Sequence, residues 1–538
     1  MENNNHKLST LDKRIKAFST GCRQNVTLMG NCDQETSYLL DKLLENSDSL
    51  EIIFIRCSSD LKDKREFFKG ISFSLLSEFF NSSTSLDALI QKSIGILDNT
   101  SEFIQNTLKK RALTFLDPLE LINIFIFETK RKCILIIEDF SELKNLFPQC
   151  FKHFPKFITL QNNCMIVLTS SKPKETLKIL SGELNLLFGN FEKIYLEFDS
   201  FIHNFSYLKK LAQPVSPSSF FLSFFVNLIG TNQLYCDIFA KSILNKYIPA
   251  NEELSIRNVL FETIYDRHSY LFHKFLSNIE RLKPYRDFPL FVKLLIYISQ
   301  GYMRKSELSS VFPTESKTTL TKLKKLCELQ YVANFGNIFK IKDSLFSFWL
   351  SNVYNLFTYP PILDVRKQKL LWENSLQTKI SLFKDNFLKD NVKKVLELIT
   401  AFKNDNIQSS KDKYYLPSVE RIKVISYPEK NMHLIIGEGQ EIIVAGLKET
   451  AVTDCDVMDF LEKSSSIKGK GVRKLLICLD RFTYSAKLTA KDNKLTIWDE
   501  NDINNLMHIY NKPIISLDTS SRTNENFITI KRKSLCDT

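Results

Sequence analysis

The sequence predicts an α/β protein of several domains whose first part is a parallel sheet covered by helices, and three observations carry that expectation. Between residues 24 and 200, short β-branched runs alternate with longer helical patterns, as strand–helix–strand units require. From about residue 201 to 283 the pattern is almost wholly helical, and beyond residue 415 β-rich segments return. At 538 residues the chain is too long for one hydrophobic core, so roughly three or four domains are expected.

In chain order, strands are expected at 25–29, 51–56, 132–137, 164–169 and 193–197, enough for a doubly wound sheet. Helical patterns fill 35–45, the stretch from 64 to 110, and 118–130, where Pro118 suits a first helical turn. These form a domain over 1–200, followed by a helical lid over 201–283. Residues 289–300, 304–311 and 315–329 predict three helices, and 331–341 two short strands around Phe335-Gly336-Asn337. Three helices and a hairpin make a winged helix-turn-helix, assigned to 284–357. A helical linker over 358–410 runs into the polar stretch 408–415, which marks a boundary. The last domain, 411–515, has strands at 421–426, 432–436, 441–446 and 474–479 with helices between them. The tail, 516–538, is polar and expected to be mobile.

Composition narrows the function classes. Hydrophobic residues make up 43% and charged residues 25%, an ordinary globular balance that excludes disordered and fibrous chains. The net charge of +12 favours polyanionic partners but is spread over a long chain. Eleven Cys, with no C-x-x-C pair and an odd total, argue against zinc knuckles and a disulfide framework and for a reducing compartment. Residues 1–16 lack the apolar stretch of a signal peptide, and no run approaches a membrane span. A cytoplasmic protein without membrane partners is expected. The seven His show no metal-ligand spacing.

After the first strand, Gly30 to Ser37 read G-N-C-D-Q-E-T-S, the spacing of a Walker A loop with only its ends intact. Glu35 stands where the second Gly lets backbone amides wrap phosphates, and Thr36 where Lys neutralises them. Further on, C-I-L-I-I-E-D-F at Cys133 to Phe140 ends in two acids like a Walker B strand, with the usual Asp-Glu order inverted. In this reading Ser37 and Glu138 would hold Mg²⁺, Asp139 would stand at the catalytic acid, and Thr169 at the γ-phosphate sensor.

The layout resembles the archaeal-type ATPase family, a branch of the AAA/STAND P-loop NTPases. The resemblance rests on Gly30 to Ser37, on Ile134 to Phe140, on Met165 to Ser170, on L-F-G-N-F-E-K-I-Y-L at Leu187 to Leu196, and on L-I-G-T-N-Q-L-Y at Leu228 to Tyr235. Asn190 stands where the family commonly carries Arg, and Gln233 where it carries Pro. The resemblance implies a P-loop NTPase-like sheet with a helical lid, a winged helix and a C-terminal restriction-endonuclease-like domain. Its ATP and Mg²⁺ site would be formed by Gly30, Glu35, Thr36, Ser37, Glu138, Asp139 and Thr169. Because the phosphate-facing charges are missing, a degenerate regulator, non-catalytic or weakly nucleotide-responsive, is expected. The alternative is an active ATPase that tolerates its altered loop.

The third helix of the winged unit carries Ser316, Lys317, Thr318, Thr319, Lys322, Lys324 and Lys325, hydroxyls and cations suited to phosphates and base edges. Residues 289–341 hold eight Lys or Arg against three Glu. Double-stranded DNA bound through Lys317, Thr318, Lys322, Lys324 and Lys325 is therefore one expectation, and a protein partner on the same unit the other. Phe346, Phe348 and Trp349 read as packing. In the last domain, the resemblance aligns a nuclease's acids and Lys with His433, Gly446 and Lys448. One residue of three cannot assemble a metal site, although Glu449, Asp454 and Asp456 lie nearby, so a scaffold or passive binder is expected rather than a nuclease.

Overall fold

Strands buried on both faces read as near-continuous apolar runs, and the runs of the N-terminal half do so. A computed structural model describes residues 2–30, 33–45, 52–58, 63–185, 191–196, 201–312, 316–358, 364–408, 413–467, 469 and 471–515. The chain divides into two compact units, 1–199 and 200–538. In the first, the apolar runs form β1 (Val26–Met29), β2 (Ile52–Ser58), β3 (Lys132–Glu138), β4 (Cys164–Ser170) and β5 (Glu192–Tyr195). They pair in parallel in the order β2-β3-β4-β1-β5.

Helices cover both faces of this sheet. On one side, α1 (Glu2–Ser19) and α2 (Asp33–Glu45) pack Leu11, Ile15, Phe18, Leu40 and Leu43 against Val26, Leu28, Ile134, Ile136 and Val167. On the other lie α3 (Lys64–Phe80), α4 (Leu86–Ser93), α5 (Asp98–Leu108), α6 (Leu116–Thr129), α7 (Leu143–Leu146), α8 (Cys150–Leu160) and α9 (Pro173–Ser181). This topology fits a P-loop NTPase-type α/β fold. The expected helical stretch 64–110 is three helices. Asn81, in the left-handed region at φ 46°, ends α3; the Ser85 side chain caps α4; and Gly95 turns the chain at φ 82°. The sequence does not predict α1: among its described side chains, Leu11, Ile15 and Phe18 form a short apolar stripe in a polar segment.

The second unit begins with α10 (Phe201–Leu211), α11 (Ser219–Ile229), α12 (Gln233–Lys246), α13 (Glu252–Leu260) and α14 (Tyr270–Glu280). There follow α15 (Phe288–Ser299), α16 (Lys305–Val311), α17 (Ser316–Glu328) and the antiparallel hairpin of β6 (Val332–Asn334) and β7 (Phe339–Ile341). An isolated bridge joins Arg304, just before α16, to Ile338 in that hairpin. Next come α18 (Ser344–Trp349), α19 (Asn355–Thr358) and the long α20 (Val365–Phe387). Phe346 and Trp349 of α18 are buried in one aromatic core with Phe225, Tyr235, Phe275 and Trp372, and Phe348 packs against it. These three aromatics pack; they do not form an exposed stacking platform.

The C-terminal part holds α21 (Asn391–Ile399), the hairpin of β8 (Asp405–Gln408) and β9 (Lys413–Leu416), and a five-stranded sheet. Its strands are β10 (Arg421–Tyr427), β11 (Met432–Glu438), β12 (Ile442–Lys448), β13 (Val472–Cys478) and β14 (Thr496–Trp498), in sequential order. Strands β10 to β12 are antiparallel and β12 to β14 parallel. One face packs α21 and α24 (Glu500–Ile509), the other α22 (Asp454–Ser465) and α23 (Tyr484–Asp492). Of the polar stretch expected to mark a boundary, 408–415, Gln408 ends β8 and 413–415 lie in β9, while 409–412 lie outside the described residues. The tail 516–538 lies outside the described residues. Among the described residues, no helix is long and apolar enough to cross a membrane.

Candidate functional site

The carboxyl edge of the parallel sheet gathers the residues the Walker-like segments supply. Gly30 is buried at the end of β1, and its amide donates to the Ser170 carbonyl at 3.0 Å, so it extends the ladder toward β4. By the third residue after Gly30 α2 has begun, which puts Glu35 and Thr36 within the first turn of the helix. Of Glu35 only the backbone position is described, and Thr36 is 2% exposed. Ser37 faces β3: its hydroxyl donates to one oxygen of Glu138.

The other oxygen of Glu138 accepts from Arg56 on β2, and the same guanidinium reaches Asp41, one turn beyond Ser37 on α2. Side-chain exposure is 16% for Glu138 and 31% for Arg56, so this is a half-sheltered ion pair rather than a surface one. Burial works against the Arg56 charge, but its hydrogen bonds and proximity to Glu138 and Asp41 outweigh it and hold the guanidinium above its ordinary value. Arg56 belongs to no motif; its signal in the sequence is a lone cation inside the apolar run I-I-F-I-R-C-S, which demands a carboxylate partner.

Asp139 follows in the left-handed region, at φ 49° and ψ 43°, and its amide donates to the Thr169 hydroxyl at 3.4 Å. Thr169 itself is 3% exposed. After β4, the Lys172 ammonium pairs with Glu142. Burial opposes the Lys172 charge, and Glu142 with nearby Glu175 and Asp139 more than restores it. Thus Arg56 is engaged by Asp41 and Glu138, and Lys172 by Glu142, with Asp139 near Lys172. Of the stretch Leu187 to Leu196, residues 187–190, with Asn190 at the position expected to carry an Arg, lie outside the described residues, and Glu192–Tyr195 form β5.

In the second unit, α17 divides the expected DNA-contacting residues. Lys317, Thr318, Lys324 and Lys325 are exposed, with Lys325 bonded to Glu328 at 3.0 Å. Lys322 is 8% exposed and held by Asp287 at 2.8 Å. Two further cations of this module are turned inward. Arg304 is bonded to Asp405, which is fully buried, and to Glu307. Lys340 donates to the His508 carbonyl and to Asn511 at 2.8 Å, and burial pulls its ammonium down to about 7. The eight cations counted along 289–341 therefore overstate the charge that α17 and its neighbours present.

In the C-terminal sheet, His433 on β11 bonds to Ser426 across the ladder at 3.0 Å, and Lys448 at the end of β12 pairs with Asp456 at 2.6 Å. Burial opposes the Asp456 charge, but Lys448 and the amide and hydroxyl of Thr453 hold it below the usual carboxylate range. Glu449 accepts from Asn391 at 2.9 Å. At Gly446 an added Cβ would lie 2.7 Å from the Phe460 ring and 2.8 Å from Leu476, so packing fills the position that the resemblance would align with a nuclease's Glu. Among the described residues, no group of three or more His, Cys, Asp or Glu could hold a metal ion.

No family model matches the chain, and the curated proteins give no match. Among solved structures it is similar to the Walker-type ATPase PABY2304 of Pyrococcus abyssi, at 17% identity over 65% of this chain and 96% of that one, with a TM-score of 0.44. It is also similar to the Aeropyrum pernix ORC2 protein in its ADPNP–ADP complexes, at 11% identity, 71% and 95% coverage and a TM-score of 0.38. A third is the Thermotoga maritima RuvB Holliday junction branch migration motor, at 12% identity, 66% and 95% coverage and a TM-score of 0.33. All three likenesses are distant in sequence and in backbone.

Proposed function

We propose that this chain is a regulator built on a P-loop-type sheet that no longer hydrolyses ATP, and that it binds duplex DNA through α17 of a winged helix. The observation that carries the first half is the closed cluster of Arg56, Glu138 and Ser37. Mg²⁺ needs the Ser37 hydroxyl oxygen and the Glu138 carboxylate as acceptors facing the metal. Here each oxygen of Glu138 already accepts a hydrogen bond, and the Arg56 guanidinium supplies a positive charge to the carboxylate that the ion would need. Triphosphate meets a related obstacle, since Arg56 and Lys172 are each paired with carboxylates and the Lys position is a buried Thr36. These residues do not fit a Mg·ATP complex.

One observation favours the alternative, an active ATPase: Ser37 and Glu138 do stand side by side, as metal ligands must. The two readings separate in one experiment. Phosphate release and calorimetric titration with ATP and Mg²⁺ are measured on the full chain and on Glu138→Ala. The regulator gives no turnover above background in either protein. Turnover in the unmodified protein that disappears in the variant overturns the proposal.

For the second half, the exposed Lys317, Thr318, Lys324 and Lys325 on one helix, followed by a hairpin, support a recognition helix with its wing. A protein partner on this helix is the other outcome of the same binding test. The C-terminal sheet is best read as a restriction-endonuclease-like scaffold whose catalytic positions are occupied by packing and by the Lys448–Asp456 pair.

A further inference from the structure

The hairpin beside α17 is not presented as a free arm. Its tip is built into the C-terminal part of the second unit. The Gln408 amide donates to the Phe335 carbonyl at 3.3 Å, the Asn337 amide to the Asn406 carbonyl at 3.4 Å, and the Asn406 amide to the Asn337 side chain at 3.1 Å. The Asn337 side chain in turn donates to Asp405 at 3.0 Å. Gly336, at φ 90°, lies so close that an added Cβ would be 2.0 Å from the Asn406 carbonyl oxygen. Ile338 is fully buried among Val395, Leu398, Ile435 and Ile477. Asp405 also binds Arg304 at 2.8 Å and the Tyr510 hydroxyl at 2.7 Å, closing a buried network around the base of the hairpin. Opening it would strand a buried charge, which makes a freely swinging wing costly.

Charge gives a second, independent reason. The only cation between residues 332 and 341 is Lys340, and it is spent on His508 and Asn511. The turn Asn334-Phe335-Gly336-Asn337 carries no group able to neutralise a phosphate. On α17, by contrast, Lys317, Lys324 and Lys325 are exposed, and their spacing of seven and eight residues sets them along one side of the helix.

We infer that duplex DNA is engaged through its major groove by α17 alone, while the hairpin is withheld from the minor groove and serves as the mount for the C-terminal part. This rests on the DNA-binding reading above. It predicts a small phosphate footprint. Three exposed cations give a slope of log K against log salt of about −3, at about −0.9 per phosphate. Guanine N7 methylation, in the major groove, interferes with binding, and adenine N3 methylation, in the minor groove, does not.

The test uses the full chain, a labelled random-sequence duplex and fluorescence anisotropy. The expected result is that netropsin, which fills the minor groove, leaves binding unchanged. Lys317→Glu with Lys324→Glu weakens it by about tenfold or more, and Asn334→Glu on the exposed face of the hairpin alters it by about twofold at most. Displacement by netropsin, adenine N3 interference or a large loss in Asn334→Glu overturns the inference while leaving DNA binding itself intact. Absence of duplex binding under low salt removes the DNA reading and this inference together.

Discussion

Arg56 interrupts an apolar strand, and a cation so placed must be met by carboxylates or give up its charge. Glu138 and Asp41 meet it. Removing the guanidinium leaves Glu138 sheltered with Ser37 as its remaining donor among the bonds described above, and Arg56→Ala is expected to cost roughly 1–3 kcal/mol. A double-mutant cycle of Arg56→Ala and Glu138→Ala, followed by thermal unfolding, should give a coupling of about 1–2 kcal/mol; a coupling near zero would refute the pairing. Lys340 makes a residue-scale prediction of the opposite sign. Its folded value of about 7 lies below the ordinary 10.5, so the unfolded chain binds more protons between those limits and stability rises with pH across them. Between about pH 6.5 and 8.5 the second unit should gain about 2 kcal/mol that Lys340→Met does not gain. Tryptophan fluorescence reads this directly, because Trp349, Trp372 and Trp498, the chain's three, all lie in that unit. Equal pH slopes in the two proteins would show that Lys340 stays charged.

At the scale of elements, the five parallel strands were legible because each is a short apolar run that both faces of a covered sheet demand. Their starts and ends fall within two residues of the expected ones, the carboxyl ends of β3 and β4 carrying Glu138 and Ser170 into the ladder. What stayed illegible were elements stabilised from outside themselves. The hairpin of β8 and β9 is a polar stretch with Ile407 and Leu416 as its apolar anchors, and it exists because it pairs with the tip of the β6–β7 hairpin. The site was half legible for the same reason. Glu138 and Thr169 follow from strand ends and Ser37 from its spacing after β1, whereas Arg56 becomes part of the site only through the pairing of β2 with β3. The hairpin contact is open to test at Gly336. Its φ of 90° already disfavours a side chain, and a Cβ would meet Asn406 backbone rather than a movable side chain. Gly336→Ala should therefore cost about 2–4 kcal/mol in the tryptophan-detected urea transition. A loss within about 0.5 kcal/mol, the range of an ordinary surface substitution, would mean the tip is not held there.

Across the second unit, segments that read as a lid, a winged module, a linker and a terminal domain share one compact body. The join is polar and buried. Asp405, with no exposed surface, collects Arg304, Tyr510 and Asn337 from three different parts of the chain. Burial alone would raise the Asp405 carboxyl, but the bonds from Arg304 and Tyr510 hold it below its ordinary range, so the network depends on its charge. Such a node contributes little net stability when complete, yet losing one partner strands the other, at about 3–5 kcal/mol. The tryptophans sit on both sides of it: Trp349 and Trp372 in the aromatic core, Trp498 in the core that contains Ile338 and Ile407. Single-tryptophan proteins, made by Trp→Phe replacement, should accordingly unfold at one shared urea midpoint while the node is intact. In Asp405→Ala the Trp498 midpoint should fall away from the other two, as the C-terminal part loses its mount. Replacing Arg304 as well, by Met, should bring the midpoints back together, because the stranded guanidinium goes with it. Separate midpoints in the unmodified chain would show instead that the hairpin and the C-terminal sheet unfold independently, and would deprive the withheld wing of its physical cause.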